Sequence, residues 1–204
     1  MPSLAITGTL GSGKSLLLRE LNAHLLRKGF EVACYSADEE NRRLLREDDE
    51  VSGEIARTLG AECLDLQGFP DRAKLRDLIT RDPSARELLE KIMHPRLERV
   101  WRPQAQRHQG GKSAFFVAEI PLLYEKGLSG YFDRVLVIGC SEDIRRARLA
   151  SHRSIPREEA DRWLAMQQSQ ERKITLADHL LWNDGPSDSL TLQLSQLLRY
   201  LAIP

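Results

Sequence analysis

Cysteine is scarce in this chain: Cys34, Cys63 and Cys140 are an odd number, widely spaced and without a C-x-x-C pair. Such a set argues against a disulfide framework or a zinc site, and it fits a reducing cytoplasm. Long apolar runs are missing as well. No stretch approaches the about 18 apolar residues of a membrane span, and the opening MPSLAITG has neither the basic flank nor the apolar run of a signal peptide. Net charge is the third absence. The 30 basic and 30 acidic side chains cancel, so no global field gathers nucleic acid or an anionic membrane. The expectation is a cytoplasmic protein, a monomer or small homo-oligomer, that binds neither. Repeats and low-complexity tracts are also lacking.

What remains is a 204-residue chain, 41% hydrophobic and 29% charged, a balance that buries a full core and predicts one α/β domain with a modest insertion. Leu4-Ala5-Ile6-Thr7 is a short apolar run that reads as a buried strand. After a glycine-rich stretch, Leu17, Leu18, Leu21 and Leu25 recur at helical spacing as far as Lys28-Gly29. EVACYS (31–36) predicts a second strand. FFVAEI (115–120) and RVLVIG (134–139) are continuous apolar runs of the kind buried on both faces of a parallel sheet, and Leu180-Leu181-Trp182 predicts a short last strand. Residues 39–109 are helical and charged, punctuated by Gly53, Gly60, Gly68-Phe69-Pro70, Asp82-Pro83 and His94-Pro95. The last of these could simply end a helix, because proline disfavours the α conformation of the residue before it. Polar helices are expected over 143–150 and 157–173, and an amphipathic one over 189–201. The predicted architecture is α/β, three-layer α/β/α, with a parallel sheet of about five strands. Its core is 1–38 with 111–204, and 39–110 form a helical insertion.

Residues 8–15, GTLGSGKS, lie between the first strand and the first helix. Gly8, Thr9, Leu10, Gly11, Ser12, Gly13, Lys14 and Ser15 spell G-x-x-x-x-G-K-S, the phosphate-binding P-loop, whose glycines let backbone N–H groups turn toward phosphate oxygens. Lys14 then supplies a point charge to the outer phosphates, Ser15 a ligand to magnesium, and the following helix its N-terminal dipole. ATP and Mg2+ are the expected cofactors. Two carboxylates at strand ends extend the site. Asp38 is placed to orient an acceptor hydroxyl and take its proton, and Glu119 to hold the magnesium shell as a Walker B acid does. Arg145, Arg146, Arg148 and Arg153 could neutralise charge on a transferring phosphoryl group, although an arginine run is commonly a solvated helix face.

These residues together resemble the dephospho-CoA kinase family, the P-loop enzymes that finish coenzyme A synthesis. The markers are residues 8–15; Asp38-x-x-x-Arg42; Leu59-Gly60-Ala61; Arg72-x-x-Leu75-Arg76; His94-Pro95; Pro121-Leu122-Leu123-Tyr124-Glu125; Gln167; and Ala177-Asp178 to Asn183-x-Gly185. Their order runs almost end to end, though only the P-loop is specific by itself. The resemblance implies a P-loop NTPase core like the nucleoside monophosphate kinases, with a helical substrate-binding domain at 39–110 and a mobile lid at about 143–170. It also implies transfer of the γ-phosphate of ATP to the ribose 3′-hydroxyl of dephospho-CoA. Asp38, Lys14 and Arg148 would be catalytic. Arg42, Arg76, His94, Glu125 and Gln167 would face the substrate, and Asn183 and Gly185 would lie near the adenine of ATP.

The chain departs from the family pattern in four places. Ser36-Ala37-Asp38 stands where many members have Asp-Ala-Asp, and Glu119 where an aspartate often precedes Pro-Leu-Leu. The stretch between Lys14 and Asp38 is about six residues longer than usual by the same alignment. His152 occupies a common arginine position with Arg153 one place later, a shift that rotates a side chain by about 100° on a helix. Two other readings therefore stand beside dephospho-CoA kinase: a P-loop kinase for another nucleotide-like or alcohol acceptor, and a non-catalytic nucleotide-binding relative.

Overall fold

Apolar runs without polar alternation pair on both sides, and the expected parallel sheet forms from them in the computed structural model, which describes residues 3–110, 114–153 and 157–201. Strands β1 (Ser3–Thr7), β2 (Glu31–Ser36), β3 (Ala114–Glu119), β4 (Arg134–Gly139) and β5 (His179–Trp182) lie in the order β2-β3-β1-β4-β5, and every pairing is parallel. The central strand β1 therefore delivers the glycine-rich loop to the middle of the sheet's C-terminal edge, where ligands of such sheets bind.

Helix α1 (Lys14–Arg27) places Leu17, Leu21 and Leu25 on one face, each completely buried. They pack on Leu4, Ile6, Val117 and Ile138 of the sheet, together with Leu190, Leu194 and Leu198 of the C-terminal helix Ser187–Tyr200. Burying each such leucine contributes about 1.5–3 kcal/mol. On the sheet's other face Phe116 stacks on His108 and Phe132, at centroid distances of 5.9 and 6.4 Å.

The chain divides into two compact units, 1–36 with 104–204 and 37–103. Both junctions fall earlier in the chain than the expected 38/39 and 110/111, because helical structure begins directly at Ala37 and the last turns of the insertion's final helix belong with the sheet. The second unit holds α2 (Ala37–Glu47), α3 (Asp49–Leu59), α4 (Arg72–Arg81) and most of α5 (Pro83–His108). Asp48 caps α3 by accepting from Val51 N at 3.0 Å, and Asp71 caps α4 from Ala73 N at 2.8 Å. Leu44, Val51, Ile55, Leu75, Ile92 and Met93 form its core.

His94-Pro95 does not end a helix: Pro95 lies inside the 26-residue α5. A helical proline costs about 3 kcal/mol. Around it Ile92 and Met93 are buried in the unit's core, and Arg96 donates to Ile92 O and Glu54, each at 2.8 Å. Packing on both sides of the proline outweighs the local penalty.

Beyond β4 come α6 (Glu142–Arg153), α7 (Arg157–Ala165), α8 (Gln170–Thr175) and, after β5, α9 (Ser187–Tyr200). The single helix expected over 157–173 is broken in two, since Ser169 restarts the chain by capping α8 through Arg172 N at 3.2 Å. The His152 and Arg153 side chains lie outside the described residues. Among the described residues no helix is long and apolar enough to cross a membrane.

Candidate active site

The loop at residues 8–15 leaves β1 and closes on itself through Ser12 N donating to Thr9 O at 3.2 Å. Gly13 caps α1 at φ +105°, and a Cβ there would collide with the Asn183 amide. Gly11, at φ +82°, would put a Cβ 2.9 Å from Arg145 Cγ. Left-handed backbone and close approach thus both demand glycine at these two positions.

Each polar residue of the loop is held from a different element. Lys14 is buried, and its Nζ donates to Thr9 O at 3.0 Å. Ser15 Oγ, on the first turn of α1, donates to Glu119 Oε1 at 3.1 Å, and Ser36 Oγ donates to Glu119 Oε2 at 3.2 Å. Glu119 is 1% exposed at the end of β3. A hydroxyl beside a buried carboxylate is an oxygen donor set suited to magnesium, which takes one or two carboxylates and completes its shell with phosphates and water. Among the described residues no group of three or more His, Cys, Asp or Glu side chains could hold a metal by itself.

From α6, Arg145 Nη1 donates to Thr9 Oγ1 at 3.0 Å and Arg148 Nη2 to Asn183 O at 2.8 Å. Arg145 Nε, Arg148 Nη1 and Ser12 Oγ are buried donors with no hydrogen-bond partner among the described residues. Buried unsatisfied donors of one kind around a P-loop fit an anion. Arg146, on another face of α6, pairs with Glu142 and Asp161. Leu10 anchors the same helix to the loop, burying with Leu149 and Ala160. Its N–H donates to Gln167 Oε1 at 3.0 Å, so Gln167 touches the P-loop itself.

Asn183 follows β5 and is 3% exposed. Its N–H donates to Gly139 O and its Nδ2 to Ser12 O, each at 2.8 Å. Asp184 accepts from Ser141 N at 2.7 Å, which holds its carboxyl below the usual range, and Gly185 adjoins Ser189. This segment braces the P-loop. Cys140, at the end of β4, is fully buried, and that burial pushes its thiol up, which makes it an inert packing group.

Expected as a substrate contact, Glu125 is committed within the fold. It pairs with Lys173 at 2.8 Å and accepts from Gln168 N at 2.9 Å. Lys173 is completely buried and also donates to Pro121 O at 2.8 Å. The marker Pro121-Leu122-Leu123-Tyr124-Glu125 thus carries a structural ion pair. In the second unit, Asp38 lies on the first turn of α2, Arg42 is exposed one turn later, Arg76 is half-buried on α4, and His94 is half-buried on α5.

Sequence reasoning missed the loop contact of Arg145 and the Lys173 pair. Helical period separates Arg145 and Arg148 from Arg146 and could have singled out the first. A lone lysine in a polar helix carries no comparable signal.

The family model described as dephospho-CoA kinase matches residues 3–189. A dephospho-CoA kinase of Anaeromyxobacter dehalogenans is 34% identical over 200 residues, covering 97% of this chain and 91% of that protein. A solved Thermus thermophilus protein superposes with a TM-score of 0.76 at 30% identity, over 98% of this chain and 97% of that one. A dephospho-CoA kinase from Campylobacter jejuni shares the fold at a TM-score of 0.65 and 22% identity, over 98% of this chain and 96% of its own.

Proposed function

We propose, from the premise that this chain belongs to the dephospho-CoA kinase family, that it transfers the γ-phosphate of ATP to the ribose 3′-hydroxyl of dephospho-CoA, giving CoA and ADP. The observation that carries this reading is the family match over residues 3–189, which spans the P-loop and the helical unit alike.

The chemistry follows from the side chains. The amides of the loop and Lys14 bind the phosphates, and the N-terminus of α1 adds its dipole. Ser15 and Glu119 would hold magnesium, which supplies Lewis-acid neutralisation of the phosphate oxygens. Asp38 orients the acceptor hydroxyl and takes its proton as the oxygen attacks the γ-phosphorus in line and the bond to the β-phosphate oxygen breaks. No phosphoenzyme is involved. Arg148 and Arg145 place positive charge beside the loop, where charge spreads in the transition state. Arg42, Arg76 and His94 on the helical unit face dephospho-CoA. Closure of the segment at about 143–170 excludes water that would otherwise hydrolyse ATP.

The test is mass-spectrometric detection of CoA from protein, ATP, magnesium and dephospho-CoA, with Lys14→Ala as the blank. Product in wild type alone supports the reading. ATP binding without CoA, followed by turnover on a wider panel of alcohols, would replace the acceptor. Asp38→Asn is expected to lower kcat by about 100-fold or more with ATP affinity little changed. Normal turnover would remove Asp38 from the role of base.

A further inference from the structure

We propose that Ser36 is a positioning residue that fixes the Glu119 carboxylate for the metal of the nucleotide site. The proposal rests on the reading of Ser15 and Glu119 given above. Ser36 closes β2 and Glu119 closes β3, and the parallel register places them directly opposite one another. Both are buried, at 8% and 1% exposure. The Ser36 hydroxyl donates to Oε2 at 3.2 Å while the Ser15 hydroxyl donates to Oε1 at 3.1 Å.

The terminal torsion of a glutamate is broad and roughly two-fold. Hydroxyls on both oxygens define its plane and assign Oε1 to the side of Ser15. Because a hydroxyl is neutral, Ser36 orients the carboxylate without cancelling its charge, as a lysine or arginine at this register position would. Partners of this kind around metal-binding carboxylates change metal affinity by about 10- to 100-fold when removed.

Manganese is the probe, titrated by electron paramagnetic resonance into the full chain with saturating ADP, beside calorimetry of ADP in chelator. Ser36→Ala is expected to weaken manganese binding about tenfold and to leave metal-free ADP affinity unchanged. Ser36→Thr, which keeps the hydroxyl, is expected to recover most of the loss. Should Ser36→Ala fail to fold, Ser36→Cys, nearly isosteric but a weak donor, is expected to show a smaller loss with the same split. Wild-type manganese affinity in Ser36→Ala, or an equal loss of metal-free ADP affinity, would overturn the positioning role and leave the nucleotide site standing. A wild-type chain whose manganese affinity gains nothing from ADP would overturn both. Since no acceptor is present, the outcome does not depend on whether dephospho-CoA is the substrate.

Discussion

Glu119 and Glu125 are six positions apart on one stretch of chain, yet they are held in opposite ways. Two serine hydroxyls orient Glu119 at 3.1 and 3.2 Å. An ammonium at 2.8 Å and a backbone amide at 2.9 Å hold Glu125. A hydroxyl partner fixes direction without itself neutralising charge. A buried lysine neutralises its partner and ties two segments together, here the loop after β3 and α8. The same residue type thus meets two hydroxyls in one place and forms an ion-paired brace in the other.

The sharpest way to break this contrast is to remove each charge in turn. Glu119→Gln keeps the shape and a hydrogen-bonding oxygen but loses the anion. Turnover is expected to fall about 100-fold with magnesium, while the melting temperature stays within a few degrees. Glu125→Gln should do the reverse, lowering the melting temperature and leaving kcat/KM of the surviving folded enzyme within a few-fold. Equal loss of turnover in both variants would mean that Glu125 also serves the reaction.

Next in size is the brace itself. Lys173→Met leaves Glu125 with its charge uncompensated, and breaking a buried pair from one side costs about 3–5 kcal/mol. In a chain of this length that is a fall of roughly 10 °C in melting temperature. The double variant Lys173→Met with Glu125→Gln is expected to melt higher than Lys173→Met alone, because the stranded charge goes with it. A double variant no more stable than the single one would show that the Lys173 bond to Pro121 O, rather than the ion pair, dominates.

Much of this was legible beforehand. The apolar runs of β1, β3 and β4 and the spacing of Leu17, Leu21 and Leu25 identify the sheet and its covering helix, since in these segments local pattern and tertiary burial agree. The P-loop reads directly because glycine, lysine and serine each have a distinct task at a set spacing. The helix end that His94-Pro95 allows does not form, because packing of Ile92 and Met93, which the linear order does not show, outweighs the local penalty of the proline. Ser36 and Glu119 each read as a departure from the family pattern, and nothing in the linear order says that they touch. That fact lives in the β2–β3 register. Glu125 and Lys173 are 48 residues apart, and their pairing has no short-range signature at all.

The smallest expected effect concerns pH, and it gives the brace two slopes of opposite sign. Burial lowers the Lys173 ammonium below its ordinary value, an effect only partly offset by Glu125. Below the ordinary lysine value of about 10.4, the unfolded chain therefore binds more protons than the folded one, and stability rises with pH toward that value. Tyr124, whose hydroxyl donates to Leu176 O at 2.9 Å, is pushed up to about 12 by burial and then by the charge of Asp178. The unfolded tyrosine ionises from about 10 upward while the folded one keeps its proton, so its contribution is full below about 10 and is lost as pH rises toward 12. Discounted for the partial exposure of Tyr124, that loss is on the order of 1 kcal/mol. Urea midpoints from pH 8 to 11.5 on wild type, Tyr124→Phe and Lys173→Met separate the two. Tyr124→Phe should flatten the alkaline fall, and Lys173→Met should remove the rise that precedes it. An unchanged alkaline fall in Tyr124→Phe would place its origin elsewhere in the fold and leave the ion pair as the titrating part of the brace.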